Sequence, residues 1–522
     1  MRDADTVSAP ASSGPAVTSG RETTKKQLRG SSLLLSGRLL SLGINFAIQV
    51  LIVRYLSKED YGAYAYALSL VSLGVSIATF GLDRSITRFI PIYDEEKEYD
   101  KLWGTIVMVT GTILSISLGL ILLVYGFHNL ATGSLISNEQ ATSLLLIMVF
   151  SVPIQAVDGL SMGLFAVMAK PRAIFYRKNV LGPLLRLTVV LLLVFSGAGV
   201  MFLAAGFVIA GALTVGLYSI FLYRTVKNEG LLDHFHWGSL QMPGREIFGF
   251  TVPLLASDLL YMVMNTTDAV LVGHFRGTDA VGALRVVLPV AQLNLLVFSS
   301  FTLLFTPAAA RLFARTDTEG ISHLYWQTAT WIAVLTFPIF ALTFSLSEPV
   351  TTTLYGERYS SSATYLTLFA LAYYFNAALG FNGLTLKVFG KVGFVVVISI
   401  VAAATNLALN FALVPTYGAL GAAIATSSTL IVHNVLKQWG LRRGTGISLF
   451  QREDAIAYAA VAVAAGTLFV LHELLHPSIW IAVPLAAIAS VAVLALSRNV
   501  LRAGDTFPEL ARFRLLRWFI QR

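Results

Sequence analysis

Apolar runs of about 20 residues, the length that crosses a bilayer core, alternate with short polar breaks along nearly the whole chain. On that measure fourteen spans are predicted, at 32–56, 61–82, 102–126, 141–168, 179–197, 200–223, 247–273, 280–306, 321–346, 361–386, 393–415, 418–440, 453–472 and 478–497. The breaks at Gly197–Val200 and Pro415–Gly418 are only a few residues long, so each predicts a tight turn between two helices. Residues 1–31 are rich in Ser, Ala, Thr and Gly and carry no apolar run, which reads as a disordered cytoplasmic tail; 499–522 reads as a basic one. The first apolar segment is too long for a signal peptide. The longest outer connection, Phe127 to Gln140, has about fourteen residues, so chemistry is expected inside the membrane.

The pattern also starts over. Shifted by 220 positions, Asp279-Ala280-Val281-Gly282-Ala283 falls on Glu59-Asp60-Tyr61-Gly62-Ala63, Asn265 on Asn45 and Asp258 on Arg38. At 221, Lys391 falls on Lys170 and Gly418-Ala419 on Gly197-Ala198; at 216, Pro307 falls on Pro91. A near-constant offset in separate places predicts two structural repeats. The fold class expected is an all-α polytopic membrane protein of fourteen transmembrane helices. Two six-helix lobes, 32–224 and 247–440, are joined by a cytoplasmic linker at 225–246, with two extra C-terminal helices within 453–498. Six spans per repeat give both halves the same orientation, related by a pseudo-two-fold along the membrane normal.

Polar positions inside the spans stand out against this pattern, because a central Arg or Asp costs roughly 2.5–3.5 kcal/mol on the insertion scale. In span 1, Arg38, Ser41, Asn45 and Gln49 fall within an arc of about 80° at 100° per residue, one wet stripe on an apolar helix. Span 7 repeats the device with Thr251, Asp258, Tyr261, Asn265 and Asp268. Arg38 reads either as lining a cavity or as snorkelling to the cytoplasmic interface. Asp258 is too near mid-span to snorkel. The repeats therefore differ in sign: one lobe presents a cation where the other presents an anion. An anionic substrate held by the first lobe and a coupling cation by the second is a division of labour that fits. Asn406, Asn410 and Thr426 suit Na⁺, or serve as partners for a protonated Asp258, or simply bond between helices. Arg285 lies near the outer end of span 8, and Arg84 and Arg88 at the cytoplasmic mouth of span 2. These arginines read as a ladder for a phosphate group, Arg84 and Arg88 alternatively as ordinary interface anchors. Arg54 reads as an outer-interface anchor. Asp158 and Arg186, at similar depths in consecutive spans, read as a structural ion pair.

Composition agrees with the class. Hydrophobic residues make up 56% of the chain and charged ones 12%, about half the charged share of a soluble domain; mean hydropathy is +0.73. There is no cysteine, which excludes disulfides and thiolate metal sites. The net charge of +9 needs no nucleic acid, because Lys and Arg concentrate on one face. In the opposite loops only Lys58, Arg276 and Arg358 occur. The positive-inside rule then predicts a multi-pass protein of the cytoplasmic membrane with both termini in the cytoplasm.

One motif points elsewhere. His472-Glu473-Leu474-Leu475-His476 matches HExxH, in which two His ligate zinc and the Glu acts as base. Pro477 follows directly, no third ligand is evident nearby, and the motif lies in the appended spans, so no metal site is expected. A P-loop is absent, which argues against ATP hydrolysis, and the Asp3/Asp5 pair sits in the tail. The chain is not expected to be an enzyme.

Five stretches carry a resemblance: YLSKEDYGAY (Tyr55–Tyr64), GLDRSITRFIPIY (Gly81–Tyr93), PLLASDLLYMVMNTTDAVLVGHF (Pro253–Phe275), LYGERY (Leu354–Tyr359) and NLALNFALVPTYGALGAAIAT (Asn406–Thr426). Over about residues 32–440 the chain resembles the polysaccharide flippases of the multidrug/oligosaccharidyl-lipid/polysaccharide exporter superfamily. The resemblance implies a flippase that moves a polyprenyl-diphosphate oligosaccharide outward by alternating access. Membrane lipids, a polysaccharide polymerase and glycosyltransferases would be its neighbours. In related lipid II flippases an Arg early in span 1 and another early in span 8 belong to a basic cavity; Arg38 and Arg285 match them, and Arg84 or Arg88 matches a basic site near the end of span 2. A cation site in the second lobe resembles the set Asp258, Asn406, Asn410 and Thr426, with Asn410 where an acid is the better ligand. No cofactor is expected beyond Na⁺ or H⁺ as coupling ion. The alternatives are a cation-coupled drug antiporter of the same superfamily, with twelve spans and an acidic cavity, and a membrane zinc protease resting on His472–His476.

Overall fold

The computed structural model describes residues 37–134, 139–168, 170–448 and 452–501, excluding the side chains at 128–134, 171, 253–261, 263–265 and 303–304. The expected tail 1–31 lies outside the described residues, as does all but the start of 499–522. Every regular element among the described residues is helical. Twelve helical segments are long and apolar enough to cross a membrane. Two features account for the fourteen expected spans. The 54-residue segment Val392–Thr445 is broken at Gly418, whose φ of 58° and ψ of −132° are non-helical. Span 7 is the 33-residue helix Gly244–Arg276.

Local chemistry sets the helix ends. Span 2, Lys58–Thr79, begins at Ser57, whose side chain accepts from the Asp60 amide at 3.0 Å. Glu59 and Asp60 complement the positive helix start. It ends where Phe80 and Gly81 turn left-handed, with φ of 48° and 68°. A separate helix, Asp83–Glu95, then carries Arg84, Arg88 and Pro91. Span 5 (Arg172–Ser196) is separated from span 6 (Val200–Asn228) by Gly197, at φ 68°, as Gly418 separates spans 11 and 12.

The repeat is visible as a symmetric contact. A Cβ on Gly62 would come within 2.1 Å of the Thr278 carbonyl oxygen; one on Gly282 would come within 3.1 Å of the Lys58 carbonyl oxygen and 3.0 Å of the Gly62 Cα. Residues 58 and 62 are the sequence equivalents of 278 and 282. Each half thus makes on the other the contact it receives, as a two-fold axis between the glycines requires. The tight crossing has a physical cause. In lipid no hydrophobic force draws helices together, so small residues that let backbones approach supply the packing. Nearby, a Cβ on Gly273 of span 7 would come within 2.2 Å of the Tyr66 ring of span 2.

This end of the molecule is one shared core. Val53, Ala63 and Ala67 of the first half pack with Ala269, Val272, Val281 and Leu284 of the second, all fully buried. At the opposite end the cores separate. One is built by Leu82, Ile86, Leu102 and Leu160 with Ile247, another by Phe305, Tyr325, Trp326, Phe381 and Leu386. Ile247 belongs with the first half although it opens span 7, because Phe250 packs edge-on to Phe89 and the Tyr93 hydroxyl donates to Glu246 at 2.9 Å.

Spans 13 (Arg452–Leu475) and 14 (Ile479–Leu501) pack on the second half, against Trp331, Phe337 and Phe340 of span 9. Tyr458 donates to the Ala378 carbonyl at 2.7 Å and Ser345 to the Ala465 carbonyl at 2.9 Å.

The ion pair expected between Asp158 and Arg186 is not formed: Asp158 pairs with Arg177. Residues Phe175–Leu181 form a π-helical turn, which turns Arg177 inward. It is 5% exposed and stacks on Tyr218 with its Cζ 4.5 Å from the ring centroid. Arg186 is exposed. The π turn is invisible to a depth argument that assumes regular helix.

Candidate functional site

The polar stripe of span 1 (Gly37–Tyr55) divides into an open part and a closed part. Arg38 and Asn45 are exposed, and nothing lies within 4 Å of where a Gly43 Cβ would stand. Asn45 Nδ2 donates to the Ser41 carbonyl at 2.7 Å, and Ser41 Oγ to the Arg38 carbonyl at 3.1 Å, so the stripe is locally ordered. Gln49 is half-buried, and its Nε2 donates to the Tyr61 hydroxyl of span 2 at 2.6 Å. The open stretch therefore ends at a polar contact under the Gly62–Gly282 crossing.

On the other side of that crossing Arg285 Nη2 lies 2.9 Å from Asp268 Oδ1, joining the start of span 8 to the end of span 7. Asp268 is 3% exposed and also accepts from the Ala269 amide at 2.7 Å. Depth separates the two candidate arginines. Arg38 lies seventeen residues before the end of span 1, about 25 Å at 1.5 Å per residue, and Arg285 seven residues into span 8, about 10 Å. They therefore stand at two levels, roughly 15 Å apart along the helix axes.

Arg84 and Arg88 are exposed at the end where the two cores separate. Arg88 lies over Phe250, 4.4 Å from its centroid, so part of its charge is spent on an aromatic face. The side chains of Asp258, Tyr261 and Asn265 lie outside the described residues. Spans 11 and 12 carry buried polar groups. Asn406 and Asn410 are fully buried in span 11, and Asn410 Nδ2 donates to the Asn406 carbonyl at 2.9 Å. Asn410 Oδ1 and Thr426 Oγ1 are buried oxygens with no hydrogen-bond partner among the described residues. Orphaned oxygens of this kind fit a hard cation such as Na⁺, or a proton on a neighbouring carboxylate.

Sequence reasoning missed the lock at the fused end. Arg54, expected as an interface anchor, instead crosses between halves: Nε donates to the Leu354 carbonyl at 2.8 Å and Nη2 to that of Thr353. Arg358 answers from the second half, donating Nη2 to the Val53 carbonyl and to the Arg54 carbonyl at 3.2 Å. The acceptors are last-turn carbonyls of span 1 and of the helix Ser347–Tyr355, which lack intrahelical donors and carry the negative helix end. Within each half a related contact recurs. The Tyr55 hydroxyl donates to the Ala198 carbonyl at 3.0 Å, and Arg276, one position beyond the equivalent of Tyr55, donates to Pro415 and Thr416 carbonyls, each at 2.7 Å.

The expectation that HExxH lacks a third ligand is corrected. Glu348, 124 positions earlier, meets His472 and His476, with one ligand atom of each within 4.8 Å of the others.

The chain matches known proteins in line with this geometry. The family model described as "Polysaccharide biosynthesis protein" matches residues 27–313, and the MatE model matches 253–412. An "Uncharacterized membrane protein" of Methanocaldococcus jannaschii is 20% identical over 80% of this chain and 84% of its own length. A "Putative O-antigen transporter" of Shigella flexneri is 22% identical over 74% of this chain and 91% of its own. A solved structure of "Lipid II flippase MurJ, inward closed conformation" superposes with a TM-score of 0.71 over 90% of this chain and all of that one, at 16% identity, a likeness of fold. With two pseudo-symmetric six-helix halves, two appended spans and a family match over more than half its length, the chain belongs to the polysaccharide biosynthesis protein family, among the membrane flippases and transporters of the multidrug/oligosaccharidyl-lipid/polysaccharide exporter superfamily.

Proposed function

We propose that this protein flips a lipid-linked oligosaccharide, carried on a polyprenyl diphosphate, from the inner to the outer face of the cytoplasmic membrane for cell-surface polysaccharide assembly. The observation that carries the reading is the asymmetry of the inter-lobe contact. The halves are fused at the Gly62–Gly282 end and have separate cores at the other, where Arg84, Arg88 and Arg38 are exposed. With both termini in the cytoplasm, the separated end faces the cytosol, where such a cargo is made. Arg38 with Asn45, and Arg84 with Arg88, would receive the diphosphate. Gln49 and Arg285 sit higher, at the level the cargo reaches when the fused end opens. Charge-assisted contacts of Arg with phosphate oxygens are strong and bidentate. Surrounding lipids would accommodate the polyprenyl chain, and the polymerase and glycosyltransferases that use the product would be neighbours in the membrane.

The second half would couple this cycle to a cation. Asp258, Asn265, Asn406, Asn410 and Thr426 form the proposed site, and the orphaned oxygens of Asn410 and Thr426 support it. Na⁺ bound there would bias one orientation of the halves, because a ligand shifts only the state it binds better.

The match of 253–412 to the MatE model favours a second reading, a cation-coupled drug antiporter. Proteoliposomes holding the full chain and a fluorescent polyprenyl-diphosphate sugar separate the two. Protein-dependent flipping that requires Arg38 supports the first reading. Gradient-driven efflux of cationic dyes with no flipping would replace it with the second.

A further inference from the structure

Glu348, His472 and His476 stand together at the fused end, apart from every group the transport reading uses. Glu348 lies in the first turn of Ser347–Tyr355. The two histidines close span 13, one turn apart on the same face, as HExxH spacing demands on a helix. His472 Nε2 is 3.3 Å from Glu348 Oε2. Metal–ligand bonds of about 2.0–2.2 Å in a tetrahedron set ligand atoms roughly 3.4 Å apart, so this pair already has the spacing, and the exposed His476 needs only a small rotation.

Two further observations bear on the site. The His472 side chain is 8% exposed, which holds Nε2 in place beside Glu348; its Nδ1 is buried with no hydrogen-bond partner among the described residues and would carry the ring proton when Nε2 ligates a metal. His476 holds a left-handed conformation, φ 42°, as the C-cap of span 13, donating its amide to the His472 carbonyl at 2.9 Å. Glycine is the usual residue there; a histidine in that strained place keeps its ring beside His472, with ring centroids 5.8 Å apart.

We propose that Glu348, His472 and His476 bind one zinc-class divalent ion, with water as fourth ligand, and that the ion staples span 13 to the helix Ser347–Tyr355. Two His and one Glu are a donor set zinc favours. The staple has a defined mechanical position. The last turn of Ser347–Tyr355 is where Arg54 docks, so the appended helices are tied to the segment that locks the two halves. The inference is independent of cargo identity.

The test uses the full-length protein in detergent, purified with a tag free of histidine, stripped with a chelator and titrated with Zn²⁺. Expected are one zinc per chain by mass spectrometry, a visible spectrum of tetrahedral type when Co²⁺ replaces it, and a rise in Tm on adding zinc. Glu348→Gln and His476→Ala alter exposed side chains and should fold; each should weaken binding at least about tenfold and abolish the Tm rise. Less than about a tenth of an equivalent in the unaltered protein, or equal binding in both variants, would overturn the site. Zinc bound by the triad without any Tm rise would overturn the staple.

Discussion

Arg54 and Arg358 cap one another's helices across the boundary between the two halves: each guanidinium donates to the last-turn carbonyls of the segment the other half presents. A guanidinium offers five donors in a rigid fork and is always charged, and helix ends supply unpaired acceptors at the negative end of the dipole. The lock thus uses groups that already need partners. Opening requires two guanidinia and their carbonyls to part together, and water is available there to replace the lost bonds. Such a contact is firm enough to define a closed end and cheap enough to break.

The fused end should therefore loosen when its close approach is blocked. In Gly62→Ala the added methyl would meet the Thr278 carbonyl oxygen at 2.1 Å, a backbone atom with little freedom to move. A cysteine at Ala283, 4% exposed, in this cysteine-free chain reports the opening. A membrane-impermeant thiol reagent should label it faster in Gly62→Ala than beside the native glycine. Equal rates would mean that the glycine crossing does not hold the halves together.

Orientation is tested by the same chemistry. A cysteine at Glu357 should be labelled in intact cells, and one at Lys97 only after permeabilisation, because the Lys and Arg asymmetry predicts cytoplasmic termini. The reverse pattern would invert the topology and with it the direction of transport.

Arg38 and Arg285 should fail differently. Arg38 is exposed, so Arg38→Ala should keep the native Tm and lose about 1.5–3 kcal/mol of cargo binding. Lysine should restore only part of it, lacking the bidentate fork. Arg285→Ala strands the buried Asp268 carboxylate and should cost about 3–5 kcal/mol of stability. Arg285→Gln combined with Asp268→Asn should recover much of it. Thermal unfolding and binding measured on the same preparations decide. A stable Arg285→Ala would show the pair to be of no structural weight.

The proposed coupling rests on Asp258 and on the orphaned oxygens of Asn410 and Thr426. Asp258→Asn keeps shape and removes charge, so it should leave flipping dependent on cargo but not on an imposed Na⁺ or pH gradient. Asn410→Ala should weaken the same dependence without abolishing it, since it removes one neutral ligand. Unchanged gradient dependence in Asp258→Asn would end the coupling role.

The spans were legible because hydrophobic length is a local property: each apolar run must satisfy its own backbone hydrogen bonds in lipid and so is helical whatever its neighbours are. The repeat was legible because Gly62 and Gly282, or Gly197 and Gly418, meet the same local demand twice. Sign asymmetry between Arg38 and Asp258 was legible for the same reason.

Partner choice was not local. Which acid meets which base depended on a π-helical turn that swung Arg177 rather than Arg186 toward Asp158, and on a 17-residue return that set Asp268 under Arg285. Arg54 looks from the sequence like any interfacial arginine. Its partners, some 300 residues away, exist only once the halves dock. Glu348 reaches His472 across 124 positions, which no spacing rule spans. Apolar length by itself determined the fourteen spans, a near-constant residue offset the two repeats, and the resemblance of five stretches the family of membrane transporters. Tertiary packing alone decided which charges pair, which end is closed and where a third metal ligand stands, because those depend on distances between segments that the order of residues along the chain does not encode locally.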